Sequence, residues 1–213
     1  MRLPARRELC QIEPELGEKT RTNDGKVGPD GAFWVGTMDD RPTKEGIGSL
    51  YRVDPSGKVE RKIEGVQISN GLAWTADGDF MFYADTRGPW IDRWRFDRRT
   101  GAMSERTRFA APDAEGRPDG GSCDAEGFYW SAGVSAGTLN RFAPDGRLVD
   151  SYPTPVVAPT MPCFGGKDFR TIYLTSLREG RAEDVLAKAP WTGSLIAAQS
   201  PVAGFPGWRF IDV

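Results

Sequence analysis

The sequence predicts an all-β protein and, within that class, a β-propeller. A short motif of Asn, Asp or Cys close to Gly recurs four times among the 213 residues, at intervals of 47, 49 and 44. Strand-like runs rich in Phe, Trp, Tyr, Val and Ile follow each motif, while helix signals are almost absent. A strand-based repeat of roughly 40 to 50 residues is typical of a propeller, whose equivalent positions converge on a central axis.

The glycine motifs come first in each unit, and a turn and a strand come next. The motifs are Asn23-Asp24-Gly25, Asn70-Gly71, Asp119-Gly120 and Cys163-Phe164-Gly165. The strands that follow them are predicted at 32–38, 79–86, 128–134 and 171–177, because these runs suit a pleated, half-buried surface.

Two further strands complete the predicted blade. Alternating apolar and polar residues predict third strands at 49–53, 91–96 and 139–142. Each leads into a turn with Asp, Pro or Gly, where Pro fixes φ and Gly permits φ > 0. The outer strands are predicted at 58–63, 103–109 and 147–152, which gives four strands per blade.

The repeat interval predicts about four to four and a half blades in one domain, residues 1–213. Residues 8–12 are predicted to form the outer strand of a blade whose beginning is missing, and 181–188 a short helix that Pro190 ends. We therefore expect an N-terminally incomplete propeller, with a shorter propeller or an arc completed by a partner chain as alternatives. An open arc leaves unpaired strand edges, through which oligomers can form.

Charge and composition argue against two classes of function. The formal net charge is −2, and Asp92 and Asp97 interrupt the densest basic stretch, at 93–99. A nucleic-acid-binding protein usually concentrates Lys and Arg on one face, so no nucleic-acid partner is expected. The sequence has no apolar run of about 18 residues, so no membrane span is expected.

The cysteines and the N-terminus indicate the compartment. Cys10, Cys123 and Cys163 are odd in number and lie far apart, which fits reduced thiols. The charged first ten residues lack the apolar segment of a secretory signal peptide. We expect a cytoplasmic protein.

Histidine is absent from the sequence. Without imidazole, the chain cannot form a Ser-His-Asp or Cys-His pair, a His-rich zinc site or a histidine general base. Hydrolytic chemistry would have to use carboxylates, amides, hydroxyls or a metal held mainly by oxygen.

Several residues of the repeat are expected to have structural roles. Trp34, Trp74 and Trp130 occur in phase and are predicted to pack between blades rather than to stack on a sugar. Asp24 is interpreted as a capping or turn residue. Cys163 is interpreted as a small buried residue at the axis.

Five motifs occur in order along most of the chain. They are RTNDGK at 21–26, FWVGTM at 33–38, ISNGLAW at 68–74, PDG at 118–120 with DAEG at 124–127, and CFGG at 163–166. Together they resemble the senescence-marker-protein (regucalcin) and gluconolactonase family, over about residues 8–210.

The resemblance implies a six-bladed propeller that hydrolyses a sugar lactone, an aldonolactone, to an aldonic acid with one divalent cation at the axis. It implies Asn70 and Asp119 as cation ligands, and Arg21 and Asn23 as substrate contacts. Asp119 is also the candidate general base, since its carboxylate would lie beside the attacking water. The cation is open among Ca²⁺, Zn²⁺, Mg²⁺ and Mn²⁺, which all accept oxygen ligands.

One cation ligand of the family has no counterpart in this sequence. It is a first-blade glutamate well upstream of Arg21, and Glu13, Glu15 and Glu18 belong to the wrong blade. Two functions are therefore open. The first is a metal-dependent, gluconolactonase-type ester hydrolase of carbohydrate metabolism, and the second is a non-catalytic propeller that binds a divalent cation or a protein partner.

Overall fold

The computed structural model describes residues 8–111 and 115–210. Within these ranges, fifteen strands form four antiparallel sheets, and each sheet is one blade of a β-propeller. A short helix, α1 (Glu183–Lys188), lies within the last blade. None of the helices in the described ranges is long and apolar enough to cross a membrane. The predicted all-β propeller is confirmed.

Consecutive strands are neighbours in every sheet. The strands are β1 (Thr20–Val27), β2 (Phe33–Asp39), β3 (Gly48–Val53) and β4 (Val59–Val66) in blade 1; β5 (Ser69–Trp74), β6 (Phe80–Asp85), β7 (Trp90–Asp97) and β8 (Ala102–Ala110) in blade 2; β9 (Pro118–Cys123), β10 (Tyr129–Gly133), β11 (Thr138–Phe142) and β12 (Leu148–Pro153) in blade 3; and β13 (Pro159–Gly165), β14 (Thr171–Ser176) and β15 (Ile196–Gln199) in blade 4.

The ten strands predicted after the glycine motifs agree with these bounds to within three residues, and the predicted helix begins two residues early. The prediction of a strand at 8–12 is wrong. Cys10 and Ile12 instead pack over the outer face of blade 1, against Val35 and Tyr51. This segment lies across the blade because it covers apolar side chains there rather than pairing with a strand edge.

Alternation along the strands explains how the blades pack. In β6, Met81 and Tyr83 belong to the core between blades 1 and 2, whereas Phe82 belongs to the core between blades 2 and 3. Since successive side chains point to opposite faces, a strand in the middle of the arc is buried on both sides. Each blade therefore depends on its neighbours for its core.

The three in-phase tryptophans are core residues, as predicted. Trp34, Trp74 and Trp130 are each at most 2% exposed. Trp34, Trp74 and Phe96 form three edge-to-face contacts with ring centroids 5.5 to 5.9 Å apart. Such pairs contribute about 0.5–1.5 kcal/mol beyond the burial of their area.

A buried acid ties the strands of blade 1 together at the ends away from the glycine motif. Asp30 accepts hydrogen bonds from the Trp34 indole N–H at 3.0 Å and from Arg52 Nε at 2.7 Å. Trp34 and Arg52 are cross-strand partners in β2 and β3, so one carboxylate fixes both strands to the preceding turn.

Blade 3 repeats this arrangement at equivalent positions. Asp124 accepts hydrogen bonds from the Trp130 indole N–H at 2.9 Å and from Arg141 Nε and Nη2 at 3.0 and 2.9 Å. Trp130 and Arg141 are again cross-strand partners. In blade 2 the corresponding pair is Met81 and Trp94, so this blade relies on apolar packing instead.

All four inner strands contain a register shift at the same place. The bulges span 22–25 in β1, 70–73 in β5, 118–121 in β9 and 159–162 in β13. A bulge redirects a side chain out of the regular alternation, and bulges are frequent beside active sites. The first three glycine motifs are therefore the bulges themselves.

The fourth glycine motif lies outside its bulge, and the prediction for Cys163 is wrong. Cys163 follows the bulge of β13 and is exposed. It lies between buried Pro162 and Phe164, so it points to the opposite face of the strand. Its cross-strand partner Tyr173 is also exposed, because no described blade covers that face. Cys10, Cys123 and Cys163 are free thiols.

Candidate active and cation site

Residues from three blades meet at the bulged ends of the inner strands. Arg21 donates from Nε to Asp40 Oδ1 at 2.9 Å and from Nη1 to Asn23 Oδ1 at 3.0 Å. Asn23 Nδ2 then donates to Asn70 Oδ1 at 3.2 Å and to the Ser69 carbonyl at 2.9 Å. The Asn23 amide is thus oriented by the Arg21 guanidinium on one side and by Ser69 and Asn70 of blade 2 on the other.

Asn70 continues this hydrogen-bonded line into blade 3. It is 4% exposed, and its Nδ2 donates to Thr86 Oγ1 at 2.8 Å. Thr86 Oγ1 donates in turn to the carbonyl of Pro118 at 2.6 Å. Because Pro118 precedes Asp119, these two bonds fix the backbone of the third motif relative to Asn70.

Asp119 is a partly exposed acid with unusual electrostatics. Burial and, to a smaller extent, the negative charge of Asp24 raise its pKa to about 7, although the Gly120 N–H acts in the opposite direction. Within the described part of the chain no basic side chain compensates the charge of Asp119, so its ionised form is disfavoured. A carboxyl group that titrates near neutral pH is typical of a functional site.

Asp24 is the second acid of this region, and its interpretation as a capping or turn residue is wrong. It is 6% exposed, and its Oδ2 accepts the backbone N–H of Leu72 in blade 2 at 2.9 Å. Burial raises the pKa of Asp24, while Lys26 and the backbone N–H groups of Leu72 and Gly25 lower it. Asp24 therefore links two blades and adds negative charge near Asp119.

The oxygen atoms of the candidate site are of the chemical type that a hard cation prefers. Asn70 and Asp119 offer an amide and a carboxylate oxygen, which Ca²⁺ and Mg²⁺ accept. A nearby positive charge would also stabilise the ionised forms of Asp24 and Asp119. In the part of the chain that the structure describes, however, no three His, Cys, Asp or Glu side chains are grouped to hold a metal ion.

The nearby glutamates do not supply the missing ligand. Glu13 is buried on the outer face of blade 1, where its Oε1 accepts hydrogen bonds from Thr37 Oγ1 and Tyr51 Oη, both at 2.8 Å. Glu15 and Glu18 are exposed.

The predicted site residues differ in how closely the structure brings them together. Arg21, Asn23 and Asn70 are joined by direct hydrogen bonds. Asp119 is connected through the backbone of its neighbour and through the charge of Asp24. Their roles as ligands, substrate contacts and general base stay predictions.

Comparison with known proteins places these motifs in a family. Residues 4–178 match the model of the SMP-30/Gluconolactonase/LRE-like region. The chain is similar to a 6-deoxy-6-sulfogluconolactonase of Pseudomonas putida, with 38% identity over 199 residues, covering 92% of this chain and 68% of the relative. It is also similar to the regucalcin of Danio rerio, with 37% identity over 202 residues and the same two coverages.

A solved structure extends the match to the whole arc of blades. The calcium-binding protein regucalcin from Agrobacterium tumefaciens superposes with a TM-score of 0.89 at 31% identity, over 95% of this chain and 68% of that one. The chain thus spans about two thirds of the length of its relatives. With the motifs, the bulged inner strands and these matches in agreement, the chain belongs to the SMP-30/gluconolactonase family, as its sequence motifs predicted.

Proposed function

We propose that this protein hydrolyses a sugar lactone, an aldonolactone, to the aldonic acid in the cytoplasm, with the help of one divalent cation. The observation that carries the proposal is the hydrogen-bonded line from Arg21 through Asn23 to Asn70, beside the uncompensated carboxyl group of Asp119. Membership of a family that includes a sulfogluconolactonase supports the same reaction class.

The residues have separate tasks in this proposal. Asn70 and Asp119 would hold the cation, and Arg21 and Asn23 would orient the hydroxyl groups or ring oxygen of the lactone. A bound divalent cation would polarise the lactone carbonyl and make a neighbouring water more acidic. The Arg21 guanidinium suits this task because Asp40 and Asn23 already fix its direction.

Asp119 acts as general base and then as general acid. Its carboxylate accepts a proton from water while the water oxygen bonds to the carbonyl carbon of the lactone. The bond between that carbon and the ring oxygen then breaks, and the proton passes from Asp119 to the departing ring oxygen. The products are one carboxylic acid group and one hydroxyl group, so atoms balance without a histidine.

A pH-stat assay tests the proposal. The substrates are gluconolactone, xylonolactone and arabinonolactone, each measured with EDTA and after addition of Ca²⁺, Mg²⁺, Mn²⁺ or Zn²⁺. We expect at least one cation to accelerate hydrolysis of at least one lactone above the spontaneous rate. Asp119→Ala should abolish that acceleration, because it removes both a ligand and the base.

The matched control is Asp145→Ala. Asp145 is an exposed acid in the turn between β11 and β12, and its Oδ1 accepts only the nearby Arg147 N–H. This variant should retain the cation-dependent rate. Equal activity of the wild type and Asp119→Ala, or no cation effect with any lactone, would contradict the proposal.

A non-catalytic propeller that binds a cation or a protein partner is the second candidate. The observation that favours it is the incomplete ligand set, with one carboxylate and one amide at the predicted cation position. It predicts saturable cation binding by calorimetry without turnover in the pH-stat assay. Association through open blade edges belongs to this candidate and stays a prediction.

A further inference from the structure

A cavity lies at the end of the inner strands opposite to the candidate active site. It has a volume of about 260 Å³ and is lined by the ends of β1, β5, β9 and β13. None of the four predicted site residues lines it. On β1 its lining begins at Lys26, three residues after Asn23, which corresponds to about 10 Å along a strand.

The C-terminal segment forms one wall of this cavity. The Gly204 N–H donates to the Phe169 carbonyl in blade 4, and the Ala125 N–H in blade 3 donates to the Ala203 carbonyl, both at 2.8 Å. Phe205 packs against the core between blades 2 and 3. The segment thus crosses the end of the arc, and Phe205, Gly207 and Trp208 form part of the cavity lining.

Three side chains of the lining, those of Lys26, Trp74 and Trp208, can donate hydrogen bonds but cannot accept them. The Lys26 ammonium carries three N–H groups and donates to the Gly121 carbonyl at 2.7 Å. The indole N–H groups of Trp74 and Trp208 are buried and have no hydrogen-bond partner among residues 8–111 and 115–210. Trp74 is 2% exposed. None of the described lining residues is Asp or Glu.

Because these side chains can only donate hydrogen bonds, a matching ligand has to supply acceptors. A buried N–H group without an acceptor destabilises the folded state, so buried donors are nearly always paired. A carboxylate has two oxygens and can accept from an ammonium and an indole N–H together. Asp24 also interacts with the Lys26 charge, from the position two residues earlier on β1, so a ligand has to share this ammonium.

The remaining walls are apolar. Val27, Phe164 and Phe205 line the cavity together with the rings of the two tryptophans. An inorganic anion would leave these apolar side chains in contact with water, whereas an organic anion with an apolar body would cover them. We propose that this cavity binds a small organic monocarboxylate with an apolar body, its carboxylate at Lys26 and the indole N–H groups.

Benzoate is the probe, and tryptophan fluorescence with calorimetry is the readout on the full chain. Benzoate should bind saturably and change the fluorescence. Benzamide has the same ring without the charge, so it should bind at least tenfold more weakly. Gluconate has the charge but hydroxyl groups instead of a ring, and it should also bind more weakly because the walls leave those hydroxyls unpaired.

Two variants test the donors. Lys26→Met removes the charge and keeps the chain length, and it should weaken benzoate binding by about tenfold or more. Trp208→Phe removes one N–H and keeps an aromatic ring, and it should weaken binding by about three- to tenfold. The matched controls are Lys58→Met and Trp191→Phe, which change exposed residues outside the cavity and should bind benzoate as the wild type does.

Several results would overturn the proposal. They are the absence of saturable benzoate binding up to ~10 mM, where even a millimolar site would be filled, equal affinity for benzoate and benzamide, and unchanged affinity in Lys26→Met. Tighter binding of gluconate than of benzoate would also count against it. If Lys26→Met does not fold, as judged by circular dichroism, Trp208→Phe and the benzamide comparison decide the outcome.

Discussion

Two pairs of aspartates at opposite ends of the blades lie in contrasting surroundings. Asp30 and Asp124 are each held by an arginine and an indole N–H of their own blade. Asp24 and Asp119, at the bulged ends, have no arginine partner in the described structure, and burial raises the pKa of both. Aspartates about one strand length apart therefore differ in their electrostatic surroundings: those at one end have an arginine partner, and those at the bulged end have none among the described residues.

This difference indicates that the paired aspartates stabilise the fold, whereas the aspartates at the bulged end serve binding or catalysis. An acid paired with a guanidinium and surrounded by aromatic rings fixes strands to one another, and losing its partner would leave a buried charge. Acids that disfavour each other's ionised form weaken the fold slightly, and such groups are found where a ligand later compensates them. The paired end is thus expected to govern folding, and the bulged end binding and chemistry.

The largest effect is expected from breaking a pair. Arg141→Met should lower the free energy of unfolding by about 3–5 kcal/mol, because Asp124 would stay buried without its partner. The Arg141 guanidinium also lies 3.9 Å from the centre of the Phe128 ring, a contact that is lost as well. Urea denaturation measures the change.

Arg147→Met is the control for this prediction, since the Arg147 side chain is 70% exposed and its Nε lies 4.0 Å from Oδ2 of the turn acid Asp145. It should change stability by less than about 0.5 kcal/mol. A loss below about 1 kcal/mol in Arg141→Met would mean that the paired aspartates do not hold the blades together.

The second largest effect is expected from comparing the same substitution at the bulged end and at the paired end of the blades. Asp119→Asn should reduce cation-dependent lactone hydrolysis by about 100-fold or more, while leaving the unfolding free energy unchanged or slightly higher, because it removes an uncompensated charge. Asp124→Asn should do the reverse, with reduced stability and near-normal activity of the folded fraction. Parallel pH-stat assays and thermal melts of both variants test this; similar effects of the two on stability would refute the division.

Sequence reasoning captured the strands because their signal is local. Aromatic alternation, and turns with Asp, Pro and Gly, fixed ten strands to within three residues. The segment at 8–12 has similar apolar content, but it packs across blade 1, and only tertiary contacts distinguish a covering segment from a strand. The buried Asp-Trp-Arg groups were not predicted, since their pairing depends on the register between strands.

The sequence motifs identify the residue types of the candidate site, but they do not predict at which position of its bulge each residue lies. Asn23 and Asp119 occupy the second residue of their bulges, whereas Asn70 occupies the first, so the three are not strictly equivalent. The fourth bulge, at 159–162, has the sequence PTMP and carries neither Asn, Asp nor Gly, so the motif that begins at Cys163 lies just after it. Register shifts of this kind leave no periodic trace in a single sequence.

A smaller effect is expected from Asn23→Ala at the bulged end. The variant loses the hydrogen bonds to Asn70 Oδ1 and the Ser69 carbonyl, and it removes one of the acceptors of the Arg21 guanidinium. We expect KM for the lactone to rise about tenfold, since one or two hydrogen bonds to the substrate contribute about 1–2 kcal/mol, and we expect the lost bonds within the protein to lower stability by about 1–2 kcal/mol. Steady-state kinetics beside a melt measure both. A stability loss as large as that of Arg141→Met would place Asn23 with the structural pairs.

The smallest effect concerns a paired acid whose arginine is partly exposed. Asp39 is fully buried, and hydrogen bonds from the Arg41 side chain, then from the Glu45 and Arg41 N–H groups, hold its pKa well below the usual range although burial opposes them. Because the folded-state pKa is lowered, Asp39 stabilises the fold above the unfolded-state pKa of about 4, and this contribution disappears as the pH falls further.

Asp39→Asn should therefore lower the melting temperature at pH 7, and its difference from the wild type should shrink between about pH 4 and pH 2. The loss at pH 7 should be smaller than that of Arg141→Met, since Arg41 is 38% exposed and solvent screens the pair. Melts across this pH range measure the difference. A gap that stays constant or widens on acidification would show that Asp39 does not act through its charge, and would confine the stabilising role of paired carboxylates to Asp30 and Asp124.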